Sequence, residues 1–272
     1  MNRPNILYLH SHDTGRHVQP YGRPVATPRL QRLAEEGVLF RRAFCAAPNC
    51  SPSRAALLTG QSAHSSGMLG LTHRGWLLND YRQHLIHTLH AAGYHSALAG
   101  VQHVAPEPGG AARIGYRELL PTRGHLAEDV VPPVLEFLSR PHEAPFFLSV
   151  GFVETHLLPG EHSFGYGGGE GRYVAPPAPL PDTPRTRQTM ADYQQAAAAL
   201  DWGVGAVLDA LARAGLTEDT LVICTTDHGL PLPGMKCTLA DGGLEVMLML
   251  RGPGGCAGGR VFDGLVSQID LF

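Results

Sequence analysis

Four apolar runs in this chain end in side chains able to bind metals or move protons. Ile6-Leu7-Tyr8-Leu9 leads into His10, His12 and Asp13, and Ser96–Ala99 into Gln102 and His103. Phe146–Val150 leads into Glu154 and His156, and Leu221–Cys224 into Asp227 and His228. A single histidine in a folded protein is usually structural, but the same placement after four separate runs is a pattern. Carboxylates and imidazoles converging from different strands suit a divalent cation, and oxygen-rich sets favour calcium, magnesium or manganese. A second segment, Cys50-Ser51-Pro52-Ser53-Arg54-Ala55-Ala56-Leu57-Leu58-Thr59-Gly60, reads as a short helix with Pro52 near its start and Gly60 at its stop. Cys50 then stands at the amino end, where free N–H groups and the helix dipole stabilise an anion, and Arg54 lies one turn on, able to point back at it. On these local grounds a buried cysteine before an ordinary helix explains the segment equally well.

The elements that would position these residues follow from the same runs. Ile6–Leu9, Ser96–Ala99, Phe146–Val150, Leu221–Cys224 and Val246–Leu250 are continuous apolar stretches bounded by turn residues, the pattern of strands buried on both faces. Between them lie helical patterns: from Thr27-Pro28, with Thr27 as the cap, through Ala34 to Gly37; Gln83–Ala92; Ala127–Leu138, with Pro132 and Pro133 predicting a kink or break; and Arg187–Ala214. Alternation of this kind predicts an α/β fold, a mainly parallel central sheet with helices on both faces and ligands at the carboxyl ends of the strands. Gly160 to Pro184, with Gly167-Gly168-Gly169 and a proline-rich stretch, reads as a loop bordering that end. Gly264 to Phe272 reads as a strand entering a helix that is not completed, leaving Leu271 and Phe272 uncovered. The expectation is a catalytic domain over residues 1–272, cut short of a smaller C-terminal subdomain and prone to self-association as a homo-oligomer.

Composition narrows the classes. With 43% hydrophobic and 17% charged residues over 272 positions, the chain can bury a full core as one large domain. A formal charge of -3 without a polybasic face points away from nucleic acid and anionic membrane, and leaves a small anionic substrate open. No apolar run approaches the roughly 18–20 residues of a membrane helix, and Met1-Asn2-Arg3-Pro4 passes directly into the first run, so a cytoplasmic location is expected. Five cysteines without a CxxC pair predict neither a disulfide framework nor a zinc ribbon. Lys236 is the only lysine.

Cys50-x-Pro52-x-Arg54 followed by Leu58-Thr59-Gly60 resembles the signature of the sulfatases of the alkaline phosphatase superfamily, in which a modifying enzyme converts the cysteine to formylglycine. With Asn49 before it and Gly67-Met68-x-Gly70-Leu71 after it, the stretch is most similar to heparan N-sulfatase-like members. Pro4-Asn5-Ile6-Leu7 leading to Asp13, Thr27-Pro28-x-Leu30, Thr226-Asp227-His228-Gly229 and Lys236-x-Thr238 extend the resemblance over nearly the whole chain.

That resemblance implies a divalent metal, usually calcium with magnesium or manganese as alternatives. Its ligands would be Asp13, His12, Asp227, its neighbour His228 and the formylglycine oxygens at position 50. It departs from the family pattern at His12, where a first aspartate is usual, and at Gly100-Val101-Gln102-His103, which keeps His103 but lacks the lysine; Gln102 is the expected neutral substitute. His156 and Lys236 fall where the family contacts the sulfate and leaving group, and His73 and Arg74 are expected to line the pocket. The implied reaction is attack on sulfur by a hydrated aldehyde at position 50, assisted by Arg54, His103, His156 and Lys236, followed by release of sulfate from a small sulfated substrate such as a sulfated sugar. Three readings compete with it: a phosphonate or phosphate ester hydrolase of the same superfamily, a non-catalytic sulfatase-like protein, and an amidohydrolase barrel with a zinc pair at His10 and His12.

Overall fold

The computed structural model describes residues 3–158 and 162–272; Met1 and Asn2 of the amino-terminal segment, and the Gly160 end of the expected loop, lie outside them. The apolar runs become β1 (Asn5–Ser11), β3 (His95–Gly100), β5 (Phe146–Gly151), β6 (Thr220–Thr226) and β7 (Leu248–Arg251), and three further strands join them: β2 (Val38–Phe44), β4 (Glu118–Leu119) and β8 (Arg260–Ser267). All eight form one sheet in the order β4-β3-β5-β1-β6-β7-β2-β8. Only β7 runs antiparallel to its neighbours, β6 and β2. The fold is thus α/β with a mainly parallel sheet, as the alternation of runs requires.

Alternate residues of the central strands enter two cores. Leu7, Leu9, Leu148 and Val150 face the helices Pro28–Glu36, Ala127–Ser139 and Pro184–Arg213, whereas Tyr8 and Phe147 face Ala55, Leu57 and Leu58 of the helix Cys50–Thr59. Each such aliphatic side chain contributes about 1.5–3 kcal/mol by leaving water, so truncating Leu9 to alanine would cost roughly 2–5 kcal/mol.

Three local expectations are corrected. Pro132 and Pro133 do not break their helix into two; Ala127–Ser139 is one element. Its buried face of Val130, Val131, Val134, Phe137 and Leu138 offsets the lost N–H groups. Thr27 precedes its helix but does not cap it: the Thr27 hydroxyl accepts from Gln19 N, and the Asp201 carboxylate, from the helix Pro184–Arg213, accepts from Arg29 N and Leu30 N at 3.1 and 2.8 Å. The terminal residues are covered at Leu271 but not at Phe272, which is 49% exposed. After β8 they make a capped 3-10 turn, Gln268–Leu271, in which Leu271 packs against two cores and Phe272 lies over Gly60.

Candidate active site

The contiguous strands β3, β5, β1 and β6 are parallel, so their carboxyl ends release His103, His156, Asp13 and Asp227 at one rim. Ser11 and Thr226 are paired at the ends of β1 and β6, which sets Asp13 beside Asp227. Asp13 adopts a left-handed φ of 55°, turning the chain back so that its amide donates to Asp227 Oδ1 at 2.8 Å. A close approach makes room in the same layer: a side chain at Gly151 would meet Val101 O and the His10 ring.

Cys50 reaches this rim from the side. Asn49 caps the helix Cys50–Thr59 by accepting from Cys50 N at 2.9 Å, and Gly60 ends it in the left-handed conformation. The thiol is buried, with its Sγ 3.3 Å from His228 Nε2, 3.3 Å from Lys236 Nζ and 3.8 Å from Asp13 Oδ1. Burial and the nearby Asp227 carboxylate push the thiol up, but the neighbouring imidazoles of His103, His12 and His228 outweigh both and hold it well below the ordinary cysteine range.

The carboxylates are fully engaged. Asp13 accepts from His228 Nε2 at 2.9 Å, His156 Nδ1 at 2.6 Å and Lys236 Nζ at 2.9 Å. Burial works against its charge, yet His228, the neighbouring His12 imidazole and the hydrogen bond from His156 keep it well below the usual carboxylate range. Asp227 is likewise depressed: burial opposes ionisation, and His228, Arg54 and His12 overcome it. His228 shows the reciprocal effect, since burial alone would hold it neutral while Asp227 and Asp13 raise it well above a free imidazole.

Arg54 does not point back at Cys50. Its guanidinium, buried under the rim, contacts Asp227 Oδ2 at 3.0–3.1 Å, the His10 ring at 2.5 Å and Ser11 O at 2.9 Å. Arg54 therefore orients Asp227. His10, lowered by burial and by Arg54, stays neutral between Arg54 and Ser149 Oγ and takes no part in a metal pair with His12. The open sheet also rules out the amidohydrolase barrel.

Gln102 is corrected as well. Its Oε1 accepts from Val104 N and Ala105 N, and its Nε2 donates to Ala105 O and Glu107 Oε1, so its own loop consumes every donor it could offer an anion. His103, the next residue, does reach the site: its ring lies 5.5 Å from that of His12 and stacks parallel on His73 at 5.9 Å. His73 sits in a turn tied to the nucleophile helix by Thr72 N donating to Ser51 Oγ. The neighbouring Arg74 is exposed and, among the described residues, has no hydrogen bond to the cluster.

Several supports carried no signal in the sequence. Ser53 Oγ donates to Asp227 O, and Gln268 Nε2 donates to Thr225 Oγ1 and Thr226 O, holding the end of β6 from behind. Glu154, beside His12 through paired backbone contacts, accepts from Tyr166 Oη at 2.5 Å and from Ala127 N at 2.7 Å, linking the glycine-rich loop to the rim. A serine, a glutamine and a tyrosine distant in sequence cannot be paired with these partners until the sheet order is known.

The residues present fit a divalent cation. Donor atoms of His12, Asp13, Cys50 and Asp227 lie within 4.8 Å of one another. His12 Nδ1 is buried with no hydrogen-bond partner, 3.2 Å from Asp227 Oδ2, an arrangement a bound cation would satisfy.

Comparison with known proteins shows the family and the fold. The family described as Sulfatase matches residues 4–272. N-sulphoglucosamine sulphohydrolase of Homo sapiens is 33% identical over 297 residues, covering 98% of this chain and 59% of the relative, so the chain spans under two thirds of that protein. BT4656, solved in complex with its substrate D-glucosamine-2-N,6-O-disulfate, superposes with a TM-score of 0.77 at 17% identity over 100% of this chain and 75% of its own. The phosphonate monoester hydrolase of Agrobacterium radiobacter superposes with a TM-score of 0.76 at 22% identity over 99% and 72%. At these identities the two structures establish the shared fold.

Proposed function

The chain belongs to the sulfatase family, and we propose that it hydrolyses the sulfate ester or N-sulfate of a sulfated sugar through formylglycine made from Cys50. The observation that carries this reading is the setting of Cys50: a helix-capped residue facing Lys236, His228 and Asp13, with His12, His103 and His156 on the same rim. Formylglycine would supply an oxygen nucleophile, and a divalent ion, calcium in the family pattern, would supply Lewis acidity.

The chain's own residues do the rest. Asp13, Asp227, His12 and His228 would hold the ion. Arg54 fixes the Asp227 carboxylate by a paired contact, so its lone pairs stay aimed at the site. Lys236, held charged well above a free lysine by Asp13 although burial opposes it, stands 3.3 Å from the position-50 side chain and counters negative charge on the sulfuryl oxygens. His156 is partly exposed, with Nδ1 on Asp13, so the ring is oriented and its other nitrogen is available to protonate a leaving oxygen or nitrogen. His103, braced by His73, brings a ring nitrogen near the Cys50 sulfur. Where the family has a lysine, this chain has Val101, and the neighbouring Gln102 is committed to its loop; sulfate binding therefore rests on Lys236 and the imidazoles.

The test is to produce the chain together with a formylglycine-generating enzyme, weigh the peptide containing position 50, and assay glucosamine N-sulfate, glucosamine 6-sulfate and an aryl phosphonate side by side. The expected result is an aldehyde or its hydrate at position 50 and release of sulfate. An aldehyde with faster phosphonate turnover would reassign the reaction, and an unmodified thiol with full activity would overturn the mechanism.

A further inference from the structure

Cys50 belongs to two groups of donor atoms. One joins it to His12 and the carboxylates Asp13 and Asp227; the other joins it to imidazoles alone. Ring nitrogens of His12 and His103 and the Cys50 sulfur form a second group whose atoms lie within 4.8 Å of one another. Nδ1 of His12 and Nδ1 of His103 are both buried and without a hydrogen-bond partner, and His12 is almost wholly enclosed. Buried imidazole nitrogens are normally paired, and two rings that each leave one unpaired while reaching the same sulfur mark a place for a ligand. Asp13 is already contacted by His156, His228 and Lys236, and Asp227 by Arg54, so a donor set without them leaves those contacts in place.

We propose that the chain as encoded, with Cys50 still a thiol, has a separate metal-binding state in which Cys50, His12 and His103 hold a thiophilic divalent ion of the zinc class. A sulfur and two imidazoles are a soft to borderline donor set, suited to zinc or cobalt and poorly matched to calcium or magnesium. Donors around tetrahedral zinc stand roughly 3.5 Å apart, so this trio closes on an ion by side-chain adjustment alone, leaving the fourth position for water. The His73 ring stacked on His103 limits how far that imidazole turns away. Cys50 binds as the thiolate: any proton on its sulfur leaves to solvent as the sulfur–metal bond forms, and no electron is transferred. Oxidation of the residue to formylglycine removes the sulfur and with it this set, so the side chain at position 50 would decide which class of ion the rim retains. The thiol state stands independently of sulfate turnover, since it concerns the residue as translated.

The experiment uses the full chain made without a modifying enzyme, its thiol verified by peptide mass, and titrated with Co2+ alone. The expected result is a near-ultraviolet thiolate-to-cobalt charge-transfer band that saturates near one ion per chain, is displaced by Zn2+ and is unaffected by excess Ca2+. Cys50→Ser, which preserves the shape of the site, should abolish the band, and His103→Ala should weaken cobalt binding by about tenfold or more. Absence of the band, or its persistence in Cys50→Ser through Cys237 or another thiol, overturns the proposal. An unchanged affinity in His103→Ala with a native thermal transition overturns it too, by removing one of its three ligands.

Discussion

Cys50 differs from the other buried cysteines in its neighbours rather than its depth. Cys45 and Cys224 are equally enclosed, and burial pushes both thiols up to about 12, whereas Cys50 is brought down by His103, His12 and His228 against the same burial. Cys50→Ala should therefore abolish sulfate release while shifting the thermal midpoint little, and Cys224→Ala should cost about 1–2 kcal/mol of stability while leaving turnover per folded molecule intact. Comparable losses of turnover in both would remove the special role of position 50. His12 supports a second prediction. An imidazole in place of a carboxylate lowers the negative charge that holds a hard cation, so His12→Asp should tighten calcium binding by about tenfold or more in a calorimetric titration of the modified protein. Equal or weaker binding would place the ion away from residue 12.

At this scale residue types after each strand were readable, because a parallel sheet sends every strand end to one rim. The partners were not. Spacing alone allowed Arg54 to face Cys50, yet Asp227, 173 positions away, claims it; Gln102 looked available until its own loop closed on it.

The elements were legible where burial dictates them. Strands enclosed on both faces read as apolar runs, so β1, β3, β5 and β6 were evident; β2 and β8 carry exposed arginines and phenylalanines and gave no such run. Capping was hidden for a related reason, because the carboxylate that starts the helix Pro28–Glu36 belongs to another helix. Asp201 accepts from the first free N–H groups of that helix and so ties two elements that pack on the same face of the sheet. Asp201→Ala should cost about 1–2 kcal/mol by chemical denaturation, and Asp201→Asn, which keeps an accepting oxygen, should recover more than half of it. Thr27→Ala, by contrast, should act only through its contact with Gln19, and a larger loss there than at Asp201 would restore Thr27 as the cap.

Across the whole molecule the sheet is closed on neither side. The short strand β4 ends one edge and β8 ends the other. β8 is the longer, at eight residues, and it exposes Val261, Phe262 and Leu265 along one continuous edge, with Phe272 also partly exposed beyond it. An edge strand that is long and apolar offers unpaired backbone groups and a hydrophobic surface together, the combination that recruits a second strand. Charges do little to guard it, since Asp263 is paired with Arg41 of the neighbouring β2 and Arg260 sits at the strand's start. The described chain should therefore self-associate in a concentration-dependent way, with β8 as the contact. Val261→Lys combined with Leu265→Lys places two like charges along that edge, and should shift sedimentation toward the monomer while leaving the rim of Asp13, Cys50 and Asp227 intact, because β8 is separated from β6 by β7 and β2. Sedimentation velocity across about a hundredfold range of concentration measures the effect. A wild-type chain that stays monomeric throughout, or a double variant that associates as strongly as wild type, would show that this edge is not the contact.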